Sequence, residues 1–170
     1  VLSVGHLSVD YHVGAGVFHA VRDASFDLHE GRVVGIVGET GCGKSTLAHA
    51  IPRILAEPPA KIPTGKVVFQ GVDLVHVPKS KMPMVRGTSI GMIFQEPMRS
   101  LNPVLSIGRQ VVGTLELHLR MDRASAREKA VELLRLVGIP DAPRRIDSYP
   151  HEFSGGMRQR VMIAMALSCN

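Results

Sequence analysis

Nine consecutive residues decide the fold of this chain: Gly38-Glu39-Thr40-Gly41-Cys42-Gly43-Lys44-Ser45-Thr46. They have the spacing G-x-x-x-x-G-K-[ST], in which glycines let the backbone curl so that its N–H groups point at phosphate oxygens. Lys44 adds a positive charge for the β- and γ-phosphates, and the Ser45 hydroxyl is placed to ligate Mg²⁺. The spacing therefore predicts a loop that binds the phosphates of a nucleoside triphosphate.

The segments on either side of this phosphate loop fit that interpretation. Residues Val33–Val37 are apolar and of strand length, and Ser45–Ile51 can form a helix that Pro52 ends. A strand, a glycine-rich loop and a helix in this order place the anion at a helix N-terminus, where free N–H groups and the helix dipole both favour it.

Short strands are predicted through the N-terminal part of the chain. Leu7–Tyr11 and Ala24–Leu28 alternate apolar and polar residues, which is typical of strands with one buried face. Gly65–Gly71 and Ser89–Phe94 are further candidate strands, and the second of them runs directly into Gln95.

After Asn102 the pattern changes to helices. Ser125 and Glu128 have the spacing of a capping box, which predicts a helix with Ser125 as its N-cap. Gly138 is expected at the C-terminal end of this helix. Its apolar stripe consists of Ala130, Leu133, Leu134 and Val137.

A last helix is predicted from about residue 155, with Ser154 as its N-cap. The two glycines that follow Ser154 each cost roughly 1 kcal/mol of helix stability relative to alanine. Arg158 and Arg160 bring positive charge to the positive end of the helix dipole. One explanation is an anion that approaches this helix end closely. The other is that Glu152 neutralises the arginines and that the glycines belong to a loop.

Length and composition indicate a globular protein. The 170 residues suffice for one domain with a subdomain, and 45% of them are hydrophobic while 21% are charged. Two cysteines form no disulfide framework, which is typical of a reducing compartment. The net charge of +5 fits solvated basic faces as well as nucleic acid or an anionic membrane. The eight histidines show no metal-ligand spacing, so we expect no metal other than Mg²⁺.

Taken together, the two glycine-containing motifs resemble those of the ATP-binding domain of ABC transporters. The family's signature Leu-Ser-Gly-Gly-Gln corresponds to Phe153–Met157, where methionine replaces the glutamine, as is usual in the peptide-importer branch. Gln95 matches the Q-loop glutamine, and Tyr11 matches the aromatic residue that stacks on adenine. The longer strings Met92–Pro103 and Tyr149–Arg160 are similar to those of oligopeptide, dipeptide and nickel importers. The resemblance covers the whole chain.

This resemblance implies a head-to-tail dimer of ATP-binding subunits with ATP sandwiched between them. Lys44 and Gln95 are then the expected catalytic residues, and Ser45 and Gln95 the expected ligands of Mg²⁺. The expected ATP-binding residues are Tyr11, Gly38, Glu39, Thr40, Gly41, Cys42, Gly43, Lys44, Ser45 and Thr46. The signature residues expected to contact the ATP of the partner subunit are Ser154, Gly155, Gly156, Met157 and Gln159.

Three of these residues also have a plainer interpretation. Tyr11 could be an ordinary half-buried strand residue, in which case Phe18 is the alternative platform for adenine. Cys42 occupies a variable position of the loop and could merely fill space. Met157, together with Met162 and Met165, fits core packing.

The implied fold is α/β: a P-loop NTPase with a RecA-like core, a small antiparallel β portion and a helical subdomain. Residues 1–101 are expected to form the phosphate-loop core, and residues 102–170 the helical subdomain with the signature helix. The family continues with an apolar strand ending in Asp-Glu, which does not occur among these residues. We therefore expect an incomplete nucleotide-binding domain, truncated before that strand, that folds poorly alone and lacks steady-state ATPase activity.

The implied function is binding and hydrolysis of ATP, with Mg²⁺, to drive uptake of peptides or a related solute. The expected partners are the subunits of a membrane permease, a second ATP-binding subunit and, indirectly, an extracellular solute-binding protein. The expected location is the cytoplasmic face of the cell membrane, without a nucleic-acid partner. Two alternatives stay open: a non-catalytic nucleotide-binding or interaction module, and a soluble ABC-type ATPase that acts on nucleic acid.

Overall fold

A four-stranded antiparallel sheet organises the N-terminal part of the chain in the computed structural model, which describes residues 2–95 and 100–169. The strands lie in the order β2-β1-β3-β4. Their bounds are β1 Leu2–Val13, β2 Gly16–Leu28, β3 Ala60–Phe69 and β4 Val72–Asp73. One helix, α1 (Lys44–Ala50), lies in the long connection between β2 and β3. The chain divides into two compact units between Pro83 and Met84.

One face of this sheet forms the core of the first unit. Val4, Leu7, Val9 and Val67 are all at most 2% exposed. The predicted strands Leu7–Tyr11 and Ala24–Leu28 lie within β1 and β2, and the candidate strand Gly65–Gly71 overlaps the second half of β3. These three predictions are confirmed, because alternating apolar residues bury one face of each strand.

Irregularities in the β1–β2 pair reshape the sheet. His6 and Asp23 both adopt left-handed backbone angles, and their side chains meet with Nδ1 2.7 Å from Oδ1. A further register shift occurs between the pairs Val9–Val21 and Asp10–His19, so Ala20 is the extra residue of a β-bulge. Such bulges redirect the strand locally, and this one lies next to the phosphate loop.

The strand predicted at Val33–Val37 is wrong for this structure. These residues have no regular secondary structure, and Val33 and Val37 are 96% and 95% exposed. A strand forms only where a neighbour accepts and donates its backbone hydrogen bonds. Within residues 2–95 and 100–169 no strand pairs with this segment.

The strand predicted at Ser89–Phe94 is also wrong. This segment follows α2 (Met82–Thr88) without forming a ladder with any described strand. It packs against a helix instead, because a Cβ built on Gly91 would lie 2.9 Å from the carbonyl oxygen of Ala166.

Helices make up the second unit and enclose one apolar core. After α2 they are α3 (Ile107–Leu119), α4 (Arg123–Leu136), α5 (Ala142–Arg145), a 3-10 helix (Pro150–Glu152) and α6 (Gly155–Leu167). The fully buried side chains at the centre of the core come from several of them and include Val111, Leu115, Leu134, Ile146 and Val161. The expected change from strands to helices along the chain is confirmed.

The start of α4 differs from the prediction. Its N-cap is Asp122, whose carboxylate accepts hydrogen bonds from the N–H groups of Ala124 and Ser125. Ser125 is therefore inside the first turn and not the N-cap, because aspartate caps helices at least as well as serine. Of the predicted apolar stripe, Ala130, Leu133 and Leu134 are buried and Val137 is half-buried against the core, and Gly138 follows the helix with a φ of 75°.

None of the helices in the described part of the chain combines the length and the apolar character needed to cross a membrane.

Candidate functional site

The phosphate loop, Gly38–Thr46, connects an irregular segment to α1 and is largely exposed. The N–H of Cys42 donates to the carbonyl oxygen of Glu39 at 3.3 Å, and the N–H of Leu47 donates to that of Gly43 at 2.8 Å. The first bond closes a tight turn and the second begins the helix. The predicted helix after the loop is confirmed, with Ile51 as its C-cap.

Glycine is required at position 43 by both conformation and space. Gly43 has a φ of 91°, which L side chains rarely adopt, and a Cβ there would lie 2.2 Å from the carbonyl oxygen of Ala20. The Ala20 bulge thus fixes the end of the loop against the sheet. At the start of the loop, a Cβ on Gly38 would lie 2.6 Å from the Cys42 sulfur.

The Lys44 side chain folds back over the loop. Its Nζ donates to the carbonyl oxygens of Gly38 at 2.8 Å and Glu39 at 2.5 Å, and lies 3.4 Å from Cys42 Sγ. The ammonium group is therefore held in the space that the loop encloses. A bound phosphate offers this ammonium group charged oxygens, which are stronger acceptors than neutral carbonyls.

The first turn of α1 offers further groups to an anion and a cation. Its N-cap, Gly43, has no side chain to cap the helix, and no acidic residue occurs in the first turn. The hydroxyl-bearing Ser45 is exposed. A hydroxyl oxygen is the hard type of ligand that Mg²⁺ accepts beside phosphate oxygens, so the donor set fits this ion.

Tyr11 lies on the sheet face that the phosphate loop touches. Val21 contributes a methyl group 3.5 Å from the Cβ position of Gly43. Val9 is the cross-strand partner of Val21, and Tyr11 follows Val9 by two residues, so all three share one face. Tyr11 is half-buried.

The signature residues form the exposed start of α6. Ser154 is the N-cap, as predicted, and its Oγ accepts a hydrogen bond from the N–H of Met157 at 3.3 Å. Cβ atoms at Gly155 and Gly156 would meet no heavy atom within 4 Å, so packing within this chain does not require glycine there. Met157 packs against the core, and Gln159 is exposed.

The two arginines of the signature helix bind backbone carbonyls. Arg158 Nε donates to the carbonyl oxygen of Pro150 at 2.6 Å, and an Arg160 nitrogen donates to that of Gly138 at 2.8 Å. The Glu152 carboxylate accepts a hydrogen bond from the N–H of Tyr149 at 2.5 Å. These arginines hold the turns before α6 and after α4, a role that the sequence pattern did not reveal.

Gln95 belongs to the second unit and is exposed. It lies at the end of the segment that was predicted as a strand. Four residues of the string Met92–Pro103, residues 96–99, lie outside the described part of the chain.

Two carboxyl groups of the helical unit have lowered pKa values. The pKa of Asp122 lies below its usual range because the Ser125 side chain and the N–H groups of the helix start donate to it. The pKa of Asp147 is lowered by the hydrogen bonds of the Arg127 guanidinium, which binds both carboxylate oxygens at 2.9 and 2.7 Å. Both carboxyl groups are exposed, and the hydrogen bonds that they accept stabilise the helical unit.

Comparisons with known proteins agree with these motifs. The family model described as ABC transporter matches residues 21–170. The chain is 46% identical over 169 residues to the oligopeptide transport ATP-binding protein OppD of Bacillus subtilis (strain 168). The aligned residues cover 99% of this chain and 47% of that protein. It is 48% identical over 169 residues to the probable peptide ABC transporter ATP-binding protein y4tR of Sinorhizobium fredii, with 99% and 50% covered. The chain thus spans about half the length of these curated relatives.

A solved structure supports the fold. The chain is similar to a dimeric post-hydrolysis state of the ATP-binding cassette MJ0796 bound to ADP and Pi, with a TM-score of 0.88 and 27% identity. The match covers 100% of this chain and 70% of that one. The P-loop NTPase fold expected from the sequence is confirmed by this similarity.

Proposed function

Because the chain belongs to the ABC transporter family, we propose that it is the ATP-binding part of an importer subunit that uses ATP to drive peptide uptake. The observation that carries this proposal is the phosphate loop, in which the Lys44 ammonium group is held over carbonyls that a phosphate can replace. Peptide is the proposed solute because relatives that share nearly half of the aligned residues are described as peptide transport proteins.

In this proposal the loop N–H groups and Lys44 bind the triphosphate. Ser45 would hold Mg²⁺, which supplies positive charge to the β- and γ-phosphate oxygens, and Gln95 is the second ligand proposed from the family resemblance. The loop is largely exposed, so the ligand can enter it without a rearrangement of the core. Catalysis at such a site consists of positioning and charge stabilisation.

The exposed start of α6 is proposed to act on the ATP of a second subunit. Gly155 and Gly156 leave the backbone of the first helical turn uncovered, although nothing in this chain requires their small size. Close approach of a phosphate from another molecule explains both glycines. The similar ATP-binding cassette MJ0796 is dimeric with ADP and Pi, which supports a dimer here.

Residues 1–170 are proposed to bind ATP and not to hydrolyse it by themselves. The family's general base is the glutamate of the Asp-Glu pair that ends an apolar strand, a sequence that these residues do not contain. Hydrolysis in the full gene product is proposed to use such a base together with Lys44 and Gln95.

The subunit is proposed to bind membrane permease subunits at the cytoplasmic face of the cell membrane. This placement follows from the transport role of its relatives. An extracellular solute-binding protein would then deliver the peptide without touching this chain.

Peptide uptake by cells tests the proposal. We expect cells whose gene carries Lys44→Ala to lose uptake of a radiolabelled oligopeptide, while cells with Lys81→Ala, an exposed lysine outside the loop, keep it. Normal peptide uptake together with normal ATPase activity in the Lys44→Ala strain would overturn the role of the phosphate loop. Normal peptide uptake in a Lys44→Ala strain that has lost ATPase activity would overturn the proposed solute.

A further inference from the structure

An aspartate–histidine pair lies next to the bulge at Ala20, outside the phosphate loop itself. His19 Nδ1 lies 2.7 Å from Asp10 Oδ1. An ionised carboxylate only accepts hydrogen bonds, so the Nδ1 of His19 carries the proton that is donated. The Asp10 side chain is only 15% exposed, which shields this hydrogen bond from competing water. The bond joins β1 to β2 at the residues where their register changes.

The bulge has to lie within a short stretch of the β1–β2 hairpin. At the turn Val13 pairs with Gly16, and closer to the core Val9 pairs with Val21. Between these two pairs, three residues of β1 face four residues of β2, so one residue of β2 is extra. The two-residue turn fixes the first pair, and the full burial of Val9 fixes the second. Neither pair decides which of the four residues is the extra one.

Apolar burial does not select the extra residue either. Among the four residues of β2 concerned, 17–19 are exposed and Ala20 is half-buried. Register is weakly specified where the side chains of a strand stay in contact with water. The hydrogen bond between Asp10 and His19 supplies the selection, because the short aspartate side chain reaches the imidazole of the residue directly opposite it. Ala20 is then the extra residue.

The choice of the extra residue matters for the phosphate loop. A Cβ on Gly43 would lie 2.2 Å from the carbonyl oxygen of Ala20, so the two backbones are in close contact. Gly43 is the N-cap of α1. A bulge centred on another residue would change the direction of the Ala20 carbonyl, because a bulge bends the strand where it occurs. The start of α1 would then lose the backbone group against which it packs.

We propose that Asp10 and His19 are positioning residues for the phosphate loop. Their hydrogen bond keeps Ala20 as the extra residue, and Ala20 holds the start of α1 where the loop N–H groups and Lys44 bind phosphate together. This inference rests on the proposed function and adds two residues that act on the nucleotide only through the backbone. Their effect is therefore expected on binding of the phosphates and not of the nucleobase.

His76 supplies a matched control. Its Nδ1 lies 2.7 Å from Asp73 Oδ2, so the two histidines make the same kind of hydrogen bond at the same length. Asp73 belongs to β4, which is the opposite edge of the sheet from β2. Loss of the His76 side chain should therefore remove a comparable bond from the fold without moving the Ala20 carbonyl.

Calorimetric titration of the full gene product with ATP and with inorganic tripolyphosphate tests the proposal. We expect His19→Ala to weaken the binding of both ligands by the same factor, roughly three- to tenfold. His19→Asn should restore both affinities, because the asparagine Nδ2 donates from a position equivalent to that of Nδ1. His76→Ala should bind both ligands as the wild type does. If His19→Ala does not fold, His19→Val tests the same loss, since valine favours strands and offers no donor.

The outcomes separate the positioning role from the proposed function. Unchanged affinities in the folded His19→Ala protein, a loss confined to ATP, or an equal loss in His76→Ala would overturn the positioning role while leaving the phosphate loop in place. Failure of His19→Asn to restore binding would overturn it as well. Failure of the wild-type protein to bind either ligand would overturn the proposed function itself.

Discussion

The carbonyl oxygen of Ala20 lies so close to Gly43 that a Cβ on the glycine would come within 2.2 Å of it. One residue belongs to a bulge of the antiparallel sheet, and the other is the N-cap of α1 within the phosphate loop. The contact is between backbone groups, which cannot move aside as a side chain can. The sheet therefore sets the position from which α1 begins.

Substitution of Gly43 by alanine tests this relationship. We expect Gly43→Ala to abolish ATP binding or folding of the first unit, because the new Cβ meets a backbone carbonyl and the φ of 91° is strained. Gly71→Ala is the control, since Gly71 lies outside the phosphate loop and has a φ of 84° but nothing within 4 Å of its Cβ position. It should cost only the strain, about 1 kcal/mol. Equal effects of the two variants in thermal unfolding and ATP titration would show that the Ala20 contact is unimportant.

Alkylation of Cys42 should depend on nucleotide. The thiol is exposed, and its sulfur lies 3.4 Å from Lys44 Nζ in the loop. ATP bound in the loop should therefore slow the reaction of Cys42 with N-ethylmaleimide. The rate is measured by mass spectrometry of the peptide that contains Cys42. Cys169, which is half-buried in the second unit, serves as the internal reference. A Cys42 labelling rate that ATP leaves unchanged would contradict binding at the loop.

Ser154 should have two separable roles. Ser154→Ala removes the N-cap of α6 and should cost about 1 kcal/mol in free energy of unfolding. Under the proposed function it should also lower ATP hydrolysis by the assembled dimer. Ser106→Ala removes an equivalent N-cap, that of α3, whose Oγ accepts from the N–H of Arg109 at 3.3 Å. We expect Ser106→Ala to lose a similar amount of stability and to keep the normal rate of ATP hydrolysis. Equal rates of ATP hydrolysis in the Ser154→Ala and Ser106→Ala variants would refute a role of Ser154 in the site.

Acid should destabilise the helical unit through Asp122 and Asp147. The pKa of each carboxyl group is lower in the folded chain than the ordinary value of 3.8, so each stabilises the fold above that value. This stabilisation is lost as the pH falls through the lowered folded-state pKa. Unfolding measured by circular dichroism between about pH 5 and pH 3 should therefore show falling stability.

Asp122→Asn is the matched variant for this pH dependence. Asparagine caps helices as well as aspartate does, but it does not titrate. The variant should keep its stability near neutral pH and lose less of it on acidification than the wild type. If acidification lowers the stability of Asp122→Asn as much as that of the wild type, groups other than Asp122 cause the acid sensitivity.

Local patterns predicted those parts of the structure whose stability is local. The alternating residues of Leu7–Tyr11 and the cap at Ser154 depend on near neighbours in sequence, and both are found as predicted. The glycine spacing of the phosphate loop likewise identified Gly43, whose φ of 91° requires that residue. Ser125 was mistaken for an N-cap because Asp122, three residues earlier, competes for the same role.

Features that depend on distant partners could not be predicted. Val33–Val37 has the composition of a buried strand, but no described strand offers it hydrogen bonds. The bulge at Ala20 leaves no mark in the sequence, so the pairing of His19 with Asp10 emerged only from the register. The same holds for Arg158, whose acceptor is a backbone carbonyl eight residues away.

Titration of the full gene product with ATP in the presence of Mg²⁺ tests the central claim most directly, with Lys44→Ala and Lys81→Ala compared against the wild type. Lys44 makes a charge-assisted contact with phosphate in this account, so its loss should weaken ATP binding roughly 10- to 100-fold while Lys81→Ala changes nothing. Tight ATP binding by a folded Lys44→Ala protein would contradict the account.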